Sequence, residues 1–223
     1  MDATHAARES GRVALIAGAT GLVGRELLAR LLDDPALASV ISLGRRAPTV
    51  AHPKLRALTV DFAALPALPA VDEAYIALGT TIKVAGSEAA FRAVDLDAVV
   101  AVAQAARAAG AGRCGIVGAM GPDVNSRIFY NRVKGEMEAA VKAIGYPCLV
   151  IARPSLLTGD RESLGQPGRS GERMAQLAMK LDWLIPANYR AIGADKVARA
   201  LHASMRAGAP GVHVLPSGQM QQA

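Results

Sequence analysis

Short continuous apolar runs alternate along the chain with longer segments whose apolar residues recur at helical spacing. Residues 13–17 are apolar without a break, the pattern of a strand covered on both faces. Residues 22–32 follow with three- and four-residue spacing and are stopped by Asp33-Asp34-Pro35. The alternation then repeats. Strands are expected at 40–43, 58–60, 74–78, 114–117, 148–152 and 212–215, and helices at 91–109, 130–144, 172–184 and 197–206. The 91–109 segment carries so few polar residues that it should lie buried on the sheet or against a second subunit. Alternating strands and helices predict an α/β fold: a Rossmann-type doubly wound parallel sheet with helices on both faces.

Texture changes after Pro154. Residues 155–171 are rich in Gly, Ser and charge and read as a loop, which opens a small C-terminal lid region over 155–190. One domain is expected over 12–216, preceded by a disordered N-terminus, 1–11, and followed by a polar tail, 217–223. No internal repeat interrupts it.

Composition narrows the function classes. At 223 residues and 52% hydrophobic the chain can bury a full α/β core, and with only 4% aromatics that core must be aliphatic and alanine-rich. The net charge of +6 raises phosphate-bearing ligands as candidates, but the arginines are scattered and form no basic run, so no nucleic acid is expected. Cys114 and Cys148 lack paired spacing and read as buried thiols, and the four histidines lack metal-ligand spacing, so no metal is expected. No apolar leader or run of membrane-spanning length is present, so a soluble, cytoplasmic protein is expected.

The candidate chemistry begins between the first strand and first helix, at Ala17-Gly18-Ala19-Thr20-Gly21-Leu22-Val23-Gly24. Gly18 permits a tight exit from the strand, Gly21 lets backbone approach a pyrophosphate, and Gly24 permits close helix–strand packing. The helix start, with Thr20, Leu22 and Val23, presents free N–H groups and a positive dipole end to phosphates. A dinucleotide site follows. A carboxylate at the end of the second strand would select NAD(H), but this strand ends in Gly44-Arg45-Arg46, whose guanidiniums suit a ribose 2′-phosphate. NADP(H) is therefore the expected cofactor, ahead of NAD(H).

Tyr130 and Lys134 stand four residues apart and share one helix face. An ammonium near a phenol favours the phenolate, which equips the pair to pass a proton to or from a carbonyl or alcohol.

Taken together, the glycine turn, Gly44-Arg45-Arg46, Gly79-Thr80-Thr81, Tyr130-x-x-x-Lys134-Gly135-Glu136 and Arg153-Pro154-Ser155 resemble the atypical short-chain dehydrogenase/reductases. The nearest subgroup is the Tat-interacting-protein-like NAD(P)H-binding proteins, and the similarity runs from about Val13 to Gly171. The resemblance implies that Asp61-Phe62 lie near the adenine, Gly79 and Thr80 near the adenine ribose and phosphates, and Pro154-Ser155 near the nicotinamide. Active members usually carry a serine at the end of the fifth strand, where this chain reads Val117-Gly118-Ala119-Met120-Gly121. Losing one such donor costs about 3 kcal/mol, or a rate factor of about 10²–10³. Thr81 and Ser126 are the candidate replacements.

Two functions are open at this point. One is an NADP(H)-dependent oxidoreductase acting on a small carbonyl or alcohol substrate, as monomer or homodimer, with Tyr130 as proton donor and Lys134 assisting and holding the ribose. The other is a non-catalytic NADPH-binding module that reports redox state to a protein partner. Leu157, Arg161, Trp183 and Tyr189 are candidates to line the substrate pocket.

Overall fold

Among the described residues nine strands follow in chain order: β1 (Arg12–Ala17), β2 (Leu37–Gly44), β3 (Leu55–Thr59), β4 (Glu73–Ile76), β5 (Arg113–Val117), β6 (Cys148–Arg153), β7 (Leu157–Thr158), β8 (Ile192–Gly193) and β9 (Gly211–Pro216). The computed structural model describes residues 11–158 and 186–222. The main sheet has the order β3-β2-β1-β4-β5-β6-β9, and every neighbouring pair in it is parallel. The direction of winding reverses between β1 and β4, and there the carboxyl ends of the strands leave a crevice suited to a ligand.

Residues on β1 alternate between two cores. Ala14 and Ile16 face α1 (Leu22–Asp33) and, in the same cluster, Val197, Leu201 and Met205. Leu15 and Ala17 face the opposite cluster, with Phe91, Val99, Val102, Val133 and Met137. Burial on both sides explains why residues 13–17 carry no polar side chain. The third strand, β3, stands at the sheet edge and is mostly exposed.

Between β4 and β5 the chain forms α2 (Ile82–Ala85), α3 (Glu88–Arg92), a π-helical turn (Ala93–Ala98) and α4 (Val99–Ala108). The uninterrupted helix expected over 91–109 is thus broken by the π turn, and it begins earlier because Ser87 Oγ accepts the Ala90 N–H at 3.1 Å. The π turn is where Asp95 points inward, with only 1% of its surface exposed.

The remaining helices among the described residues are α5 (Phe129–Ala143), α6 (Ala194–Ala207) and α7 (Ser217–Met220). Two expectations need correction here. The loop expected from 155 onward opens with β7, which pairs with β8 in parallel. Residues 217–222 are not a free polar tail: Met220 is fully buried, Gly218 N–H donates to Asn188 Oδ1 at 2.8 Å, and Lys196 Nζ donates to Gln221 O at 2.9 Å. Both features are made by partners about thirty residues away in sequence, which local patterns do not register. The expected helix at 172–184, the N-terminal segment 1–10, Arg161 and Trp183 lie outside the described residues.

Candidate functional site

The three glycines of the first turn meet different surroundings. Gly18 has φ +88°, and a Cβ there would press on the carbonyl of Ala77. A Cβ on Gly24 would collide with the carbonyl oxygen of Gly18, so the first turn of α1 packs directly on the strand exit. At Gly21 the nearest protein atom would be Gly18 O at 3.4 Å, an ordinary contact. A Cβ at Gly21 therefore meets no collision from the protein's own atoms. Gly21 caps α1 with no side-chain hydrogen bond, and the first turn carries no acidic residue. The N–H groups of Leu22, Val23 and Gly24 have no carbonyl to meet within the helix.

Neighbouring strand ends add to this crevice. Arg45 and Arg46 follow β2 and are exposed. Asp61 is exposed, with Oδ1 accepting the Ala63 N–H, while Phe62 is half-buried against the core. After β4, Gly79 and Thr80 are held from behind: the Thr80 N–H donates to Asp95 Oδ2 at 2.8 Å. Thr81 caps α2, its hydroxyl accepting the Val84 N–H at 3.2 Å.

Tyr130 and Lys134 both face the segment that carries Phe91 and Asp95. The Tyr130 and Phe91 ring centroids are 5.5 Å apart. One turn further along α5, Lys134 Nζ lies 2.7 Å from Asp95 Oδ1, and the Lys134 side chain is only 5% exposed. Asp95 thus uses one oxygen for the lysine and the other for the Gly79-Thr80 loop. It is the residue the sequence reading missed. Its sequence signal is slight, an acidic residue in an alanine- and valine-rich segment that also carries Asp97.

The missing serine is matched by a buried Ala119, 7% exposed. Neither proposed substitute hydroxyl is idle: Thr81 caps α2, and Ser126 Oγ accepts the Ile128 N–H. The loop carrying Ala119 is held by Met120 N–H donating to Pro154 O, and it crosses α5 at Gly135, where a Cβ would meet the backbone of Asp123 and Val124. Behind it, Arg153 donates two hydrogen bonds to the buried Glu138, at 3.0 and 2.7 Å. Ser155 Oγ donates to Arg190 O and accepts from Ser217 Oγ. A cleft of about 210 Å³ opens beside this region, lined by Met120, Gly121, Arg153, Asn188, Tyr189, Val214, Pro216 and Ser217. Leu157 lies in β7, packed against the core.

No family model matches the chain. Individual relatives do. A protein fmp52, mitochondrial, of Aspergillus fumigatus is 36% identical over 199 residues, spanning 84% of each chain. Protein HTATIP2 of Rattus norvegicus is 34% identical over 168 residues, spanning 72% of this chain and 67% of the relative. The chain belongs to this family, the atypical short-chain dehydrogenase/reductases of the Tat-interacting-protein-like group.

Solved structures share the fold of this family member at low identity. MoeE5 in complex with UDP-glucose and NAD superposes with a TM-score of 0.67 at 16% identity, covering 91% of this chain and 74% of that one. A short chain dehydrogenase family protein from Francisella tularensis subsp. tularensis SCHU S4 gives 0.65 at 13% identity, covering 95% and 100%. The doubly wound parallel sheet expected from the sequence is the fold that all of them share.

The fungal relatives overturn one expectation. Those of Emericella nidulans, Aspergillus fumigatus and Candida albicans are named mitochondrial, in conflict with a cytoplasmic location. The cytoplasmic reading rested on the lack of an apolar leader. That test detects secretory signals, whereas mitochondrial addresses are amphipathic and arginine-rich.

Proposed function

We propose that this family member is an NADP(H)-dependent oxidoreductase that interconverts a small carbonyl compound and its alcohol. The observation that carries the reading is the difference among the three glycines. The protein's own backbone demands Gly18 and Gly24, whereas a Cβ at Gly21 would meet no collision, at a helix start whose first N–H groups have no intrahelical carbonyl. A pyrophosphate fits that cradle. Arg45 and Arg46 would meet the 2′-phosphate, Asp61 and Phe62 the adenine, Gly79, Thr80 and Thr81 the adenine ribose and phosphates, and Pro154 and Ser155 the nicotinamide.

When bound, the reduced dinucleotide supplies a hydride to the carbonyl carbon. Tyr130 gives its hydroxyl proton to the oxygen that becomes the alcohol and recovers one in the reverse direction. Lys134, one turn away and anchored by Asp95, supports the phenolate electrostatically and borders the ribose. With Ala119 in place of a hydroxyl, Tyr130 is the principal hydrogen-bond donor to the reacting oxygen.

The same Ala119, with the ammonium of Lys134 already compensated by Asp95, favours a second reading: a non-catalytic NADPH-binding module that signals to a protein partner. Titration with NADPH and NADH, followed by NADPH consumption with aldehydes, ketones and quinones, separates the two. The enzyme reading expects tighter NADPH binding with turnover, and Tyr130→Phe should lower turnover by about 10²–10⁴-fold with NADPH affinity kept. Tight binding with no turnover of any compound moves the module to first place.

A further inference from the structure

The cleft beside Ala119 has already committed most of its polar groups to the protein itself. Arg153 is held by two hydrogen bonds to Glu138. Ser217 donates to Ser155, whose hydroxyl donates to Arg190 O, and Asn188 Oδ1 accepts from Gly218. The apolar part of the lining is the thioether of Met120, the ring of Tyr189, Val214 and Pro216. Met120 and Tyr189 are 38% and 64% exposed, uncommonly open for large apolar side chains. Further exposed apolar residues stand in loops at the same end of the sheet, Val124 and Ile128 after β5 and Leu156 after β6. Apolar surface exposed in loops at the carboxyl ends of the strands is suited to a ligand body rather than to solvent.

We propose that the substrate carries a sizeable apolar body, an alkyl chain or unsubstituted ring, attached to its carbonyl and bearing no anionic group, with that body lying against Met120, Tyr189 and Val214. The inference rests on the oxidoreductase reading for the location of the carbonyl, and on the cleft alone for the apolar body. A guanidinium whose Nε and Nη2 already bond the Glu138 carboxylate offers a carboxylate or phosphate on the substrate reduced attraction.

The test is calorimetric binding of straight-chain primary alcohols of increasing length to the full chain saturated with NADPH, in parallel with turnover of the matching aldehydes. Each added methylene should tighten binding by about three- to fourfold until the cleft is filled. Met120→Gln and Tyr189→Ser should flatten that dependence while leaving NADPH affinity unchanged. Affinity independent of chain length, tighter binding of matched chains ending in a carboxylate, no binding at all, or an unchanged length dependence in both variants would each overturn the proposal. Length-dependent binding without aldehyde turnover sustains the apolar cleft and sinks the oxidoreductase reading instead. The two can therefore fail separately.

Discussion

Lys134 Nζ lies 2.7 Å from Asp95 Oδ1, in a pair whose side chains are 5% and 1% exposed. Because Asp95 also accepts the Thr80 N–H, this one carboxylate ties α5 to the loop after β4. The lysine of the proposed Tyr–Lys pair is therefore fixed before any ligand arrives, and its position depends on a residue far from it in sequence.

Removing one member of that pair strands the other charge in the core. Asp95→Ala should cost about 3–5 kcal/mol of stability, whereas Asp95→Leu combined with Lys134→Met should cost much less. Urea unfolding of the single and double variants measures both. Equal losses would mean that the pair itself is strongly stabilising, contrary to this expectation.

The glycine turn separates folding from ligand binding. Gly24→Ala forces its methyl into the Gly18 carbonyl and should destabilise the fold by several kcal/mol or prevent folding. Gly21→Ala meets only an ordinary contact at 3.4 Å, so its thermal midpoint should barely change. Its affinity for NADPH should nevertheless fall by about tenfold or more, since the methyl occupies the pyrophosphate's approach.

Arg45 and Arg46 are exposed and at the end of β2, so their replacement should not disturb the core. Arg45→Ala with Arg46→Ala should weaken NADPH binding by about 10- to 100-fold through lost charge-assisted hydrogen bonds. NADH binding should stay nearly constant. Parallel loss of both affinities would remove the arginines from the 2′-phosphate.

A second buried polar group sits at the opposite end of the sheet, where His202 Nε2 is 3.1 Å from Asp34 Oδ2. Burial pulls the His202 imidazole below its ordinary 6.5, against the opposing pull of Asp34, with Arg206 and Arg30 adding to the lowering. The unfolded chain then takes up this proton before the folded one does. Stability contributed here is intact above 6.5 and declines as pH falls from 6.5 towards the folded value. His202→Gln should flatten that part of the stability–pH curve, read as urea midpoints on either side of it. An unchanged slope would assign the acid sensitivity to other groups. Asp34 does not confuse the result, because its carboxyl is below 3.8 on balance. Burial raises it, but the Ala36 N–H, His202 and Arg206 outweigh that effect, so its own loss of stability comes only at lower pH.

The sequence by itself determined the sheet and the glycine turn, because both are local. A strand buried on two faces needs an unbroken apolar run, as in Val13–Ala17, and a strand-to-helix turn over a pyrophosphate needs glycines at set positions. The same holds for Tyr130 and Lys134, whose shared face follows from helical geometry alone. Only the tertiary structure decided what lies opposite them. Asp95 becomes a partner of Lys134 because a π turn aims it inward, Met120 and Tyr189 line one cleft from some seventy residues apart, and 217–222 dock on Asn188 and Ser155 rather than trailing in solvent. These are contacts between segments distant in sequence, set by how the layers pack, and periodicity within one segment carries no record of them.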